Sequence, residues 1–136
     1  MADEKKFHLS ITTPDRDFYD GDVTMVEINT TEGQIGVLAN HIPLTAVLSP
    51  GVCYIHVEGE EIKLCALHSG FVEILQNKMT VLVEVAEWPD EIDVARAQEA
   101  KTRAERLLSE NAADLNITRA TLALKRSAAR IEAAKK

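Results

Sequence analysis

Four arginines in the C-terminal third of the chain are spaced so that their side chains could hold an anion. Arg96 and Arg103 are seven residues apart, and Arg126 and Arg130 are four apart, so each pair shares one face of a helix. In an antiparallel pair of helices the start of the first lies beside the end of the second, which brings the four guanidinium groups level. Arginine suits bidentate recognition of phosphate. A solvated face of intrahelical ion pairs is the competing interpretation.

Other chemistry is not indicated by the sequence. The histidines at 8, 41, 56 and 68 lack the spacing of metal ligands. Ser69-Gly70 does not belong to a nucleophile elbow, and "EGQIGVL" lacks the Lys-Ser/Thr of a P-loop. We therefore expect no catalytic residue and no metal site. Cys53 and Cys65 are interpreted as small buried hydrophobes, because a disulfide would need an oxidising compartment.

Composition narrows the class of protein. The chain has 136 residues, is 46% apolar but only 4% aromatic, and carries a net charge of −7. Its acidic part lies before residue 90, whereas the remainder is mildly basic, so nucleic-acid binding is not expected as its main task. There is no signal-peptide-like start and no apolar run of about 18 residues. We expect a cytosolic protein, or one held at the cytosolic face of a membrane by partners.

The first part of the chain, residues 1–87, reads as an antiparallel β-sandwich. Short runs rich in β-branched residues, such as "FHLSITT" and "KMTVLVEV", recur at roughly 8–12-residue spacing. Tight turns are predicted at Asp20-Gly21, Gly59 and Asn77, and a loop or bulged strand is predicted across "GQIGVLANHIPL".

The second part, residues 88–136, changes to a helical period and predicts an antiparallel αα-hairpin. Asp90 is a candidate N-cap of the first helix, and Asp114 or Asn116 of the second. From residue 90 onward there are 12 alanines against 8 Leu or Ile, so the seam between the helices buries little area. The fold class is thus α+β, with a hairpin that is marginal by itself and suited to be a moving part.

Three segments together resemble the epsilon subunit family of bacterial F-type ATP synthases. They are "TTEGQIGVLANHIPLTAVLSPG" at 30–51, "HSGFVEI" at 68–74 and the helical tail. Ala39-Asn40 stands where the family usually has Pro-Gly, and Ser69 replaces a common glycine.

The resemblance implies a non-catalytic central-stalk subunit of a proton-translocating synthase, peripheral to the cytoplasmic side of the cell membrane and not inserted into it. Its implied partners are the gamma subunit and the c-ring, toward which Glu32 and His41 would lie. Both are also polar loop positions that could simply bond to nearby backbone. In its extended form the hairpin would reach the catalytic head subunits and restrain ATP hydrolysis.

The resemblance also assigns a regulatory ATP site to the folded hairpin. "IDVARA" is similar to the family's I/L-D-x-x-R-A motif. The positions that match the motif and its accompanying acid and arginines are Glu87, Ile92, Asp93, Arg96, Ala97, Arg103, Arg126 and Arg130. By this resemblance Arg103, Arg126 and Arg130 would take phosphates. Glu87 would accept from the adenine amino group, while Asp93 and Arg96 would orient one another. No cofactor is required.

Two other classes of function stay open at this point. One is a freestanding nucleotide-sensing module built from the same parts, which would ignore gamma. The other is an enzyme, which the lack of a nucleophile, metal site or acid–base pair disfavours.

Overall fold

The computed structural model describes residues 5–110 and 116–135. In this part of the chain eight strands precede two helices, and a single 3-10 turn at Pro89–Glu91 connects the two regions. The strands are β1 Phe7–Thr12, β2 Asp17–Val23, β3 Met25–Thr30, β4 Gly33–Leu38, β5 Leu44–Leu48, β6 Gly51–His56, β7 Lys63–Leu75 and β8 Lys78–Glu87. The helices are α1 Val94–Glu110 and α2 Ile117–Ala134.

The strands form a sandwich in which the long strand β7 belongs to both layers. The hydrogen-bonded order is β2-β1-β8-β7-β5-β3-β4, and β6 pairs with β3 and β7. β5 pairs with the second half of β7, whereas β6 pairs with its first half, so β7 passes from one layer into the other. All of these pairs are antiparallel except β1 with β8, which is parallel. The predicted fold class is confirmed, with this one parallel pair as an addition.

The core between the layers consists mainly of aliphatic residues, as the low aromatic content indicates. Strict alternation in β1 buries Phe7, Leu9 and Ile11 on one face. Cys53 and Cys65 face one another across β6 and β7, 1% and 0% exposed, as free thiols. Their interpretation as small buried hydrophobes is confirmed.

Strand β7 changes faces at Ser69-Gly70. Before this point the odd-numbered residues face the core, and after it the even-numbered ones do. Ser69 has a φ of 53°, and a Cβ at Gly70 would collide with the carbonyl oxygen of Leu82 on β8. Only glycine allows this close approach of the two backbones, which is why the "SG" pair stands at the corner.

Turn predictions are confirmed where the backbone enters the left-handed region. Gly59 has a φ of 77° and Asn77 a φ of 62°, each in a reversal between strands. The prediction of a turn at Asp20-Gly21 is wrong, because both residues lie inside β2 and pair with β1. The chain reverses earlier, where the Thr13 hydroxyl accepts hydrogen bonds from two following amides.

The loop expected across residues 33–44 is also partly wrong. Gly33–Leu38 is a regular strand whose pairing with β3 runs without interruption. The irregularity in the sandwich lies instead between Ile11 and Thr12, where the register of β1 with β2 shifts.

The two helices form the predicted hairpin, and α2 is the helix that lies on the sandwich. It packs against β6, β7 and the 3-10 turn, while α1 packs along α2. Asn116 caps α2 by accepting the amide of Arg119 at 3.0 Å, as predicted, and Asp114 lies outside the described residues. Asp90 does not cap α1, because it lies inside the 3-10 turn.

Candidate functional site

The hairpin is attached to the sandwich through a fixed linker, Trp88–Ile92. Trp88 stacks on Phe18 with ring centroids 4.2 Å apart, and its amide donates to Glu91. Glu91 in turn accepts two hydrogen bonds from the guanidinium of Arg16, at 2.7 and 2.9 Å. The ion pair, together with the bond from the Trp88 amide, holds the pKa of Glu91 below its ordinary value.

Helix α1 begins directly after this linker, at the Asp/Arg pair of "IDVARA". The Asp93 carboxylate accepts the backbone amide of Arg96 at 3.1 Å, and the Asp93 carbonyl accepts that of Ala97. Asp93 is therefore the N-cap of α1, a position that satisfies amides left without partners at a helix start. The bond reaches the backbone of Arg96 and not its guanidinium, so mutual orientation of the two side chains stays a prediction.

Two apolar residues of the predicted site are packing positions. Ile92 is half-buried against a small cluster formed by Val52, Ala66 and Ala133, which joins the linker, the sandwich and α2. Ala97 is 3% exposed on the inner face of α1.

A chain of three polar side chains links the sandwich to α2. Glu87, the last residue of β8, accepts a hydrogen bond from Nε of Arg130 at 2.7 Å. The same carboxylate oxygen lies 3.3 Å from Nε2 of His68, which is 1% exposed. The His68 hydrogen bond and then the Arg130 pair hold the pKa of Glu87 below its ordinary value, although partial burial opposes them.

The other three arginines are unpaired within the part of the chain that the structure describes. Arg96 and Arg103 are exposed on α1, and Arg126 is half-buried on α2, one turn before Arg130. No carboxylate among the described residues lies within ion-pair distance of these three. Within the described residues these three arginines do not form the intrahelical ion pairs of the competing interpretation.

Comparison with known proteins shows where this architecture occurs. The family model "ATP synthase, Delta/Epsilon chain, beta-sandwich domain" matches residues 6–89, and "ATP synthase, Delta/Epsilon chain, long alpha-helix domain" matches residues 90–135. The chain belongs to the ATP synthase delta/epsilon family. As a member it is a non-catalytic subunit, as the resemblance in the sequence implied.

Individual relatives cover this delta/epsilon chain almost completely. An ATP synthase epsilon chain of Caldanaerobacter subterraneus is 43% identical over 134 residues, 98% of this chain and 96% of the relative. One from Halalkalibacterium halodurans is 41% identical over 128 residues, 93% of this chain and 96% of the relative.

Solved structures support the fold. A chain of the Euglena gracilis mitochondrial ATP synthase "OSCP/F1/c-ring" structure has a TM-score of 0.82 at 24% identity, covering 96% of this chain and 82% of that one. A chain of the Tetrahymena thermophila mitochondrial "central stalk/cring" structure has a TM-score of 0.57 at 17% identity, covering 98% and 97%.

Glu32 and His41, the predicted partner contacts of this delta/epsilon chain, lie on either side of β4. Glu32 is exposed, and only its backbone amide is held, by the Thr30 hydroxyl. The ring of His41 bonds the neighbouring carbonyl of Ile42 at 2.6 Å. His41 thus makes the local backbone bond that the competing interpretation anticipated, and its contact with a partner stays a prediction.

Sequence reasoning missed His68 and the Arg16–Glu91 pair. A signal for the first does exist, because "LCALH" has no polar alternation, as expected for a strand covered on both faces. A histidine at the end of such a run is expected to be covered by another element of the fold. No local signal joins Arg16 to Glu91, which are 75 residues apart.

Two further observations concern the same described residues. No group of three or more His, Cys, Asp or Glu side chains among them is arranged to hold a metal ion. Nor does either described helix have the length and apolar character needed to traverse a bilayer.

Proposed function

We propose that the chain acts as the epsilon subunit in the rotor of a proton-translocating F-type ATP synthase. It connects the gamma subunit with the c-ring at the cytoplasmic face of the cell membrane, and its hairpin restrains ATP hydrolysis when it extends toward the catalytic head. ATP bound to the folded hairpin opposes that extension. The names of the relatives and the assemblies in which the similar solved chains occur support the rotor assignment.

One observation carries the proposal: the hairpin is docked on the sandwich by small residues and a single described ion pair. The buried residues of α2 are all alanine or serine, namely Ala120, Ser127, Ala129 and Ala133. Alanine contributes far less burial free energy than the roughly 1.5–3 kcal/mol of a Leu or Ile. Among the described contacts, Arg130–Glu87 is the ion pair that joins α2 to a strand. Such a contact is suited to opening and closing.

A second surface supports attachment to a partner. Val47, Phe71 and Leu82 lie side by side on β5, β7 and β8, directly opposite one another in the register. Their exposed fractions are 59%, 45% and 40%. An apolar row of this kind on a folded domain marks an interaction site. We assign it to gamma, with the Glu32 and His41 loops directed to the c-ring.

The nucleotide arm of the proposal depends on the arginines. Arg103 and Arg126 lack carboxylate partners in the described chain, and Arg130 has one. A ligand at about 100 times its dissociation constant stabilises the state that binds it by about 2.7 kcal/mol. For a hairpin held by an alanine seam, this is enough to decide which form dominates.

The test is titration of the isolated chain with ATP and ADP, with and without magnesium, followed by calorimetry and by hydrogen exchange of α2. We expect ATP to slow exchange in α2 and Arg126→Ala to weaken binding. Arg119→Ala is the matched control, because Arg119 is an exposed arginine of the same helix outside the predicted site. Equal affinity in the wild type and Arg126→Ala would contradict the nucleotide arm.

The rotor arm is tested separately by co-purification with gamma. A chain that stays monomeric in the presence of gamma would favour the freestanding nucleotide sensor instead. In the assembled enzyme, deletion of residues 88–136 is expected to raise ATP hydrolysis while leaving the sandwich bound.

A further inference from the structure

A buried histidine stands behind the arginines of the proposed nucleotide site. We propose that His68 and Glu87 are positioning residues that hold Arg130 by its Nε edge, so that both terminal amino groups of its guanidinium face a phosphate of the bound nucleotide. The inference rests on the proposed function, since it specifies how one arginine of that site is oriented. It also replaces the expectation that Glu87 serves adenine.

The geometry of Arg130 favours this role. Its Nε donates to Glu87 Oε1 at 2.7 Å, and its side chain remains 30% exposed. A guanidinium has five N–H donors, so four remain on the two terminal nitrogens. No second carboxylate among the described residues lies within ion-pair distance of them. A carboxylate on the Nε edge therefore fixes the plane of the group and leaves a two-pronged donor open for phosphate.

His68 explains why the Glu87 carboxylate is itself fixed. Glu87 ends β8, and without a second donor its side chain could turn away from α2. Nε2 of His68 lies 3.3 Å from the same oxygen that Arg130 bonds, on the sandwich side. Because His68 is 1% exposed, this hydrogen bond forms away from bulk water, where it is stronger.

The second ring nitrogen of His68 points to a role beyond packing. Its Nδ1 is buried and has no hydrogen-bond partner among the described residues. An unpaired buried polar atom is destabilising, whereas an aliphatic residue would fill the same strand position without that cost. The histidine is accounted for by what its other nitrogen does, which is to hold Glu87.

A purely structural latch would use the same three residues, so the test must separate the two roles. ATP affinity of the full chain is measured by calorimetry for the wild type, His68→Leu, His68→Gln and Glu87→Gln. His68→Leu is also combined with Arg130→Ala. Hydrogen exchange of α2 without nucleotide reports docking of the hairpin in each variant.

We expect His68→Leu and Glu87→Gln to weaken ATP binding about tenfold, similar to the loss caused by removing a residue that orients a metal ligand. His68→Gln should bind close to the wild type, because its amide N–H can replace Nε2. In the Arg130→Ala background, His68→Leu should have no further effect on affinity, since His68 acts through Arg130.

Several outcomes would overturn the inference. It falls alone if the wild type binds ATP and Arg126→Ala weakens binding, yet His68→Leu binds like the wild type. It also falls if His68→Leu reduces the free energy of ATP binding by no more than it reduces the docking free energy of α2 without nucleotide. The same holds if His68→Leu still weakens ATP binding when it is combined with Arg130→Ala. If the wild type binds no ATP, the nucleotide arm and this inference fall together. Should His68→Leu not fold, Glu87→Gln takes its place in the same cycle.

Discussion

Arg16 and Glu91, 75 residues apart in sequence, form a bidentate ion pair with N–O distances of 2.9 and 2.7 Å. Arg16 also donates to the Ala86 carbonyl, so one guanidinium holds the end of β8 and the linker together. The stacking of Trp88 on Phe18 adds a second attachment. We therefore expect any swing of the hairpin to pivot at the end of this linker, where Ile92 meets the N-cap Asp93.

The first prediction concerns this anchor. Glu91→Ala removes the Arg16 pair and the acceptor of the Trp88 amide, so we expect faster hydrogen exchange at Trp88 and Ile92 with β1–β7 unchanged. Global stability should change little, because exposed ion pairs contribute little. Glu60→Ala, which removes another exposed ion pair, is the control. Unchanged exchange at Trp88 would show that the stacking alone fixes the linker.

The apolar row gives the second prediction. Phe71→Asp should abolish co-purification with gamma while leaving the unfolding free energy within about 0.5 kcal/mol, as is usual for surface positions. Ile62→Asp is a matched control, because Ile62 is 48% exposed and lies outside the row. If Phe71→Asp still binds gamma as the wild type does, the row is not the interface.

Most of the fold was predictable because its signals are local. Alternation in β1 and the helical period after residue 93 follow directly from burial of one face. Asn116 at the start of α2 is a cap that the sequence shows by residue type alone. The failures arise where long-range pairing overrides a local preference. Asp20-Gly21 has turn chemistry, yet its pairing with Ser10 and Leu9 keeps it inside a strand.

The candidate site shows the same division. The spacing of Arg126 and Arg130 places them on one face of α2, which any helix would do. That Glu87 holds one of them and leaves the other unpaired depends on how α2 sits on the sandwich, 43 residues away in sequence from Glu87. His68 contributes only through that docking. Periodicity reports which face is buried but not which polar atoms meet there.

The third prediction concerns pH. His8 lies between Asp22, 3.1 Å from Nδ1, and Asp20, 2.7 Å from Nε2, and these carboxylates raise its pKa above the ordinary value. Because the pKa of His8 is higher in the folded chain, its ion pairs stabilise the fold fully at a pH below the ordinary histidine pKa. This stabilisation is lost as the pH rises through the folded-state pKa.

His8→Gln should therefore lower the stability of the chain in mildly acidic solution and have little effect in alkaline solution. The difference should stay below about 1 kcal/mol, because the three side chains are largely exposed. Urea unfolding from about pH 5.5 to 8.5 measures it. His41→Gln, whose imidazole bonds a carbonyl, is the control. An equal pH dependence in both variants would contradict the assignment.

The fourth prediction uses the thiols. Cys53 and Cys65 are buried in the core, and their mutual hydrogen bond and burial raise the pKa of Cys65 well above its ordinary value. We expect neither thiol to react with a charged disulfide reagent in the native chain, and both to react at the rate of unfolding. Ser109→Cys, at an exposed position of α1, is the reactive control. Fast labelling of the native wild type would show that β6 and β7 open locally.

The last prediction tests whether hairpin docking depends on small residues. Ala133 is fully buried against Val52 and Ala66, so Ala133→Leu forces extra carbons into the closed contact between α2 and the sandwich. Overpacking of this kind costs about 1–3 kcal/mol, and the hairpin can relieve it by leaving the sandwich. Exchange of α2 amides should then accelerate while the strand amides stay protected. Ala95→Leu, at an exposed position of α1, should leave exchange unchanged.

ATP supplies the decisive comparison for this variant. At about 100 times its dissociation constant it adds about 2.7 kcal/mol to the docked form, which is comparable with the overpacking cost. Protection of α2 in Ala133→Leu should therefore return when ATP is added and fail to return when Arg126→Ala is combined with it. If α2 stays protected in Ala133→Leu without ATP, the contact between its alanines and the sandwich does not limit docking. The hairpin would then be held by other contacts.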